Sequence, residues 1–156
     1  MYDVHAVRRD FPILSRQVNG KPLVYLDNGA SAQKPRVVID AMNHAYSMEY
    51  ANVHRGLHTL SNLATDHYES VRGIVRRFLN AGHEDEILFT SGATEGINLV
   101  SYGWAAPRMQ AGDEIVLSVM EHHANIVPWH FLRERQGVRL VWVEPEPDGS
   151  LDPRRV

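Results

Sequence analysis

Cysteine is missing from all 156 residues. That excludes disulfides, thiolate metal sites and a cysteine nucleophile within the chain, and it leaves the redox compartment open. Lysine is nearly missing too, with only Lys21 and Lys34, each in a turn-like setting before proline. Such positions are poor places for a buried, activated amine. There is no excess of positive charge: the formal net charge is -3 and acids and bases alternate along the chain. No basic face for nucleic acid follows from that pattern. No apolar run approaches the roughly 18 residues of a membrane span, and the opening MYDVHAVRRDFPIL lacks the basic-then-apolar order of a signal peptide. These absences lead us to expect a cytoplasmic protein with neither a nucleic-acid nor a membrane partner.

What is present suffices for a core, since 44% of residues are hydrophobic and 22% charged. The first stretch mixes short elements. Val4 to Phe11 reads as a turn or two of helix ended by Pro12, and Val18-Asn19-Gly20-Lys21-Pro22 as a tight turn. Leu23 to Leu26 reads as a short strand. A helix starts near Pro35 and carries Val38, Met42, Ala45 and Tyr46 at helical spacing. From Ser61 the pattern becomes regular. Leu63, His67, Val71, Ile74, Val75 and Phe78 share a helix face that ends before Gly82. Strands are expected at Glu86–Thr90, Glu114–Val119 and Val138–Val143, and helices from Thr94 and over Asn125–Gln136. Short apolar runs alternating with helices of about a dozen residues indicate βαβ units, an α/β fold with a mostly parallel sheet covered by helices. Three such strands leave an open edge. We therefore expect the N-terminal part of something longer, or half of an assembly, that is oligomeric or only marginally stable alone.

In open α/β sheets ligands bind beyond the carboxyl ends of the strands. Two loops qualify. Ser91-Gly92-Ala93-Thr94 opens directly into a helix, where free backbone N–H groups and the helix dipole favour an anion. It lacks the Walker lysine and the three-glycine dinucleotide spacing, so an ordinary N-cap competes with a phosphate cradle. Glu121-His122-His123-Ala124 sets two histidines at the end of an apolar strand. A metal site, a proton-transfer site and plain loop polarity all remain open there. His54 and His58 give an i, i+4 pair, but Gly56 between them is a poor helix former and Arg55 repels a cation, so no metal is expected.

Four stretches carry a more specific signal: "YLDNGASAQKP" (25–35), "ANVHRGLHTLSNLAT" (51–65), "FTSGATEGINLV" (89–100) and "MEHHANIVPW" (120–129). In this order and spacing they resemble the pyridoxal-phosphate-dependent cysteine desulfurases of the class V aminotransferase superfamily, in the branch that includes selenocysteine lyases and serves iron–sulfur cluster assembly. The resemblance extends to "DFPIL" and "VNGKPLVYLD" near the front. It implies fold-type I architecture, with pyridoxal 5'-phosphate held by a large α/β domain at a homodimer interface. Residues 1–60 would be the N-terminal segment lining the active site and the small-domain side, and 61–156 the first, incomplete part of the cofactor-binding domain. Ala93 and Thr94 resemble the phosphate-cup residues. His122 resembles the histidine that stacks on the pyridine ring and carries a proton in catalysis, tasks a flat, titratable imidazole suits. Asn28, Gly29 and Ala30 fall where the family lines its substrate pocket. His54 and Arg55 resemble the pair at the pocket's edge, Arg55 facing a substrate carboxylate or a neighbouring acid. His123 is assigned to packing or to a supporting hydrogen bond, with His122 turned toward Thr94.

By the same resemblance the reaction removes sulfur from L-cysteine, or from L-selenocysteine its selenium. It yields L-alanine and an enzyme persulfide destined for a sulfur-acceptor protein. The alternatives are another lyase or epimerase of the superfamily, or a truncated product without activity. The family's Schiff-base lysine, its aspartate at the pyridine nitrogen, its carboxylate-binding arginine and its nucleophilic cysteine all come later in the family pattern. The chain stops before any of them, so it is expected to be inactive alone.

Overall fold

The structure is a computed structural model that describes residues 2–152 and 154. Contacts gather the chain into two units, Met1–Ile87 and Leu88–Val156. This grouping reflects packing, whereas the division at residue 60 rests on the roles the resemblance implies.

In the N-terminal unit, helix α1 (Val4–Arg9) starts because Asp3 Oδ1 accepts the N–H groups of His5 and Ala6, each at 3.0 Å. Pro12 then opens a 3-10 turn, Pro12–Ser15. The Asn-Gly turn forms as expected. It joins β1 (Gln17–Val18) to β2 (Lys21–Pro22) as an antiparallel hairpin, with Asn19 at φ 52 and Gly20 at φ 72. Leu23–Leu26, expected as a strand, belongs to no sheet among the described residues, and only the Leu23 N–H reaches across, donating to the Arg16 carbonyl at 2.9 Å. Helix α2 (Arg36–His44) runs on into a π-helical turn, Ala45–Glu49.

Helix α3 (Thr59–Leu79) is the longest element. His58 Nδ1 accepts the Ser61 N–H at 3.4 Å at its start. It stops earlier than the sequence suggests: Asn80, not Gly82, takes the left-handed conformation at φ 56, and the N–H groups of Asn80 and Ala81 close on the carbonyls of Arg77 and Arg76. Its buried residues are Ser61 and Gly73. Leu63, Val71, Ile74 and Phe78 of the expected apolar face stand exposed.

Glu86–Thr90, expected as a strand, is not one. Glu84–Glu86 forms a 3-10 turn and Ile87 follows in extended backbone. The Ile87 carbonyl accepts from the Arg72 guanidinium on α3 instead of from a strand neighbour. Extended backbone makes a strand only when a ladder pairs it.

The C-terminal unit holds a complete crossover. Helix α4 (Ala93–Leu99) continues into π-helical turns over Val100–Ala105, then come β3 (Glu114–Ser118), a 3-10 turn (His123–Asn125), α5 (Val127–Gln136) and β4 (Arg139–Val143). β3 and β4 pair in parallel from Glu114↔Arg139 to Ser118↔Val143, so both strands lie where the apolar runs predict. Ala105, Leu132 and Val138 form the core, with Ile115, Met109 and Trp129 packed on it. Gly137 ends α5 at φ 72, and a Cβ there would approach the Ala111 Cβ to 3.2 Å. Its carbonyl accepts the Gly112 N–H at 3.0 Å, and the Arg139 N–H donates to the Asp113 carbonyl at 2.7 Å. The entrances to the two strands are thereby stitched together.

Candidate functional site

The Ser91–Thr94 loop enters α4 with no side chain capping the helix. The N–H groups of its first turn point outward with the positive end of the helix dipole. Space in front of Gly92 is open, since an added Cβ would meet nothing within 4 Å. Thr94 is exposed at the second helical position. Glu95 turns back on the loop: one carboxylate oxygen accepts the Ser91 hydroxyl at 2.6 Å and the Ser91 N–H at 2.5 Å. Those two bonds, the hydroxyl first, hold the Glu95 carboxyl below its ordinary pKa. The loop thus already holds one oxyanion, and the Ala93–Thr94 turn presents uncapped donors beside it.

The second loop follows β3. His122 precedes the 123–125 turn, and its Nδ1 accepts the Ala124 N–H at 3.1 Å. The His122 and His123 rings meet edge to face with centroids 6.0 Å apart. Both histidines are exposed. His123 is therefore not packed into protein as the sequence reading expected; a three-residue turn at the surface leaves its ring no interior to enter. Helix α4 lies against this turn. Ser101, fully buried, ties the same helical run to α5 by donating to the Pro128 carbonyl at 3.4 Å.

In the N-terminal unit, Asn28, Gly29 and Ala30 form an exposed turn, closed by the N–H groups of Ala30 and Ser31 on the Asp27 carbonyl. Asn28 Oδ1 accepts the Gln33 N–H at 3.2 Å, and the Tyr25 hydroxyl donates to the Ser31 carbonyl at 2.7 Å. His54 sits at φ 66, a left-handed conformation unusual for a residue with a side chain. Helix α3 holds it there. Thr65 Oγ1 accepts the His54 N–H at 3.0 Å, Glu69 meets the ring Nε2 at 2.8 Å, and Tyr68 packs edge-on. Ser61 anchors the same loop, accepting the Gly56 N–H at 3.0 Å and donating to the Asn52 carbonyl at 2.6 Å. Arg55 is exposed and has no ion-pair partner among the described residues.

Sequence reasoning overlooked the polar residues around the histidine loop. Ser118, Glu121, Asn125 and Trp129 form a hydrogen-bonded series through Glu121. Their spacing of three, four and four residues was the available signal, since it places them along one side of a chain that is turning helical. Among the described residues no group of three or more His, Cys, Asp or Glu stands where a metal ion can be held, and no helix is long and apolar enough to cross a membrane.

Known proteins supply the frame for this geometry. A cysteine desulfurase of Salmonella gallinarum is 55% identical over 150 residues, which is 96% of this chain and 37% of the relative. The apo structure of a cysteine desulfurase from Thermococcus onnurineus superposes with a TM-score of 0.85 at 37% identity, over 99% of this chain and 37% of its own. A more distant structure, at 20% identity and TM-score 0.66 over 92% of this chain and 34% of its own, shares the fold and holds glycine covalently linked to its pyridoxal phosphate cofactor. The fold is therefore that of the pyridoxal-phosphate-dependent desulfurases. The chain spans a little over a third of the length of these relatives. The sequence pattern of the aminotransferase class-V family matches residues 24–156, and the chain belongs to that family.

Proposed function

We propose that this chain is the N-terminal part of a cysteine desulfurase, a cytoplasmic homodimer that converts L-cysteine to L-alanine and passes sulfur, as a persulfide, to an acceptor protein of iron–sulfur assembly. L-selenocysteine is a second substrate on this reading. Residues 1–60 line the active site, and 61–156 begin the cofactor-binding domain. One observation carries the reading: the His122 turn lies against the helix whose uncapped first turn contains Ala93 and Thr94.

The donor set fits pyridoxal 5'-phosphate. The N–H groups at Ala93 and Thr94 and the Thr94 hydroxyl suit a phosphate, and the exposed His122 imidazole suits an aromatic ring. When bound, the cofactor supplies an electron sink for the substrate's α-carbon. His122 offers its ring face for stacking and holds or moves a proton at Nε2, because Nδ1 already accepts the Ala124 N–H. Asn28, Gly29 and Ala30 offer an exposed, turn-fixed edge for substrate. Arg55, unpaired among the described residues, offers a guanidinium to a carboxylate, with His54 fixed beside it. The 156 residues hold no cysteine and only Lys21 and Lys34. The persulfide thiol and the cofactor-anchoring amine of this scheme therefore belong to sequence outside them.

Supplying pyridoxal phosphate and L-cysteine to two purified proteins tests this, one the 156-residue chain and one carrying these residues at the relatives' full length. The longer protein is expected to develop the visible band of bound cofactor and to release alanine, and the short one to do neither above free cofactor. Alanine formation by the 156-residue chain, or a full-length protein that binds cofactor yet leaves cysteine untouched, overturns the proposal.

A further inference from the structure

Four side chains lie between the end of the parallel pair and the core. Ser118, the last residue of β3, donates its hydroxyl to Glu121 Oε1 at 2.9 Å. Asn125 donates from Nδ2 to Glu121 Oε2 at 3.0 Å. Trp129 Nε1 donates to Asn125 Oδ1 at 2.9 Å, and Trp129 itself packs on Ala105, Leu132 and Val138. A single carboxylate thus ties the sheet's carboxyl end to a helix rooted in the core. His122, His123 and Ala124 are the three residues between Glu121 and its partner Asn125. Inside that span the Ala124 N–H donates to His122 Nδ1, and the Asn125 N–H donates to the His122 carbonyl at 2.8 Å.

We propose that Glu121 is a positioning residue for His122. Its carboxylate clamps Asn125 to Ser118, and the clamp fixes the turn whose Ala124 N–H occupies His122 Nδ1. A neutral ring whose Nδ1 accepts a hydrogen bond carries its proton at Nε2, so the clamp selects both the ring's direction and its working nitrogen. The inference rests on the proposed role of His122 in proton transfer. Charge is not what the clamp requires. A glutamine at 121 retains both contacts: its amide oxygen accepts from Asn125, and its NH₂ donates to Ser118, whose hydroxyl accepts as readily as it donates. Alanine retains neither.

The test uses the full-length protein with bound pyridoxal phosphate, in wild-type, Glu121→Ala, Glu121→Gln, His122→Ala and Glu121→Ala/His122→Ala forms. Amide exchange is followed in a peptide spanning 119–126, alongside the cofactor's visible spectrum and turnover. Glu121→Ala is expected to speed exchange at Ala124 and Asn125 and to slow turnover, each roughly tenfold, the scale of one hydrogen bond. It should also shift the cofactor band. Glu121→Gln restores all three. In the His122→Ala background, Glu121→Ala changes neither the spectrum nor turnover further, since its action passes through the ring. Unchanged exchange in Glu121→Ala, a glutamine variant as impaired as alanine, or additive losses in the double variant each overturn the proposal. A wild-type protein that binds no cofactor sinks the desulfurase reading instead, and the exchange arm still decides whether the clamp exists.

Discussion

Leu132, midway along α5, and Phe78, in the last turn of α3, are both large apolar side chains, yet Leu132 is 2% exposed and Phe78 is 86% exposed. The difference follows from what each helix has to lie on. α5 belongs to a closed βαβ unit, so its inward face meets β3, β4 and the π-helical turn that carries Ala105. α3 belongs to a unit whose strands are two-residue pieces of a hairpin, which offer no sheet face for a helix to cover. Its contacts include polar ones at Ser61, Thr65 and Arg72. Periodicity identifies a face that needs cover without saying whether cover is at hand.

Truncation separates the two cases most strongly. In the 156-residue chain Leu132→Ala should destabilise the C-terminal unit by about 2–5 kcal/mol. Phe78→Ala should stay within about 0.5 kcal/mol. Denaturant unfolding read by amide exchange in each unit checks both. If the comparison reflects missing cover, the Phe78 cost climbs toward the Leu132 value in a full-length protein, and a flat Phe78 cost there breaks it.

A smaller effect tests the polar anchoring of the N-terminal unit. A Cβ at Gly56 would lie 2.5 Å from the Ser61 Cβ, and Ser61 is 1% exposed. Gly56→Ala should cost about 1–3 kcal/mol through overpacking, seen as faster proteolysis of the loop from 52 to 58. Ser61→Ala cannot rescue it, because the obstructing atom is the Cβ.

The smallest effect concerns acid. The Glu121 carboxyl lies below its ordinary value because Asn125 and then Ser118 donate to it. A depressed carboxyl contributes stability that is fully present above the unfolded-state value near 4.5 and is lost as pH falls through the lower folded value. Glu121→Gln should therefore make the C-terminal unit less sensitive to pH in that window while barely changing it at neutrality. Acid titration of the C-terminal unit's exchange, wild type against glutamine, reads this directly, and identical acid profiles would contradict it.

Legibility in the sequence follows the same divide. β3, β4 and α5 were readable because their partners lie within one crossover, so local pattern and tertiary contact agree. Asn19-Gly20 was readable because its backbone demand is purely local. Glu86–Thr90 failed as a strand because pairing belongs to two segments, and the Arg72 side chain took the Ile87 carbonyl. At the candidate site, the His122 loop was visible as a strand–helix junction, whereas the Thr94 loop opens a helix without a paired strand before it. That neither histidine is packed was not visible, since exposure depends on how a three-residue turn is oriented. Glu121 was passed over because an acid in a loop looks like solvation until its two partners are seen.

The parallel pairing has a consequence for biosynthesis. Every rung from Glu114↔Arg139 to Ser118↔Val143 closes over the single crossover α5, and both entrances are stitched by backbone bonds between the 112–113 and 137–139 turns. Every rung therefore spans the same 25 residues, so one loop closure brings all five into register. On a ribosome this crossover module has all its own partners as soon as Val143 clears the exit tunnel, giving the nascent polypeptide one ordered unit.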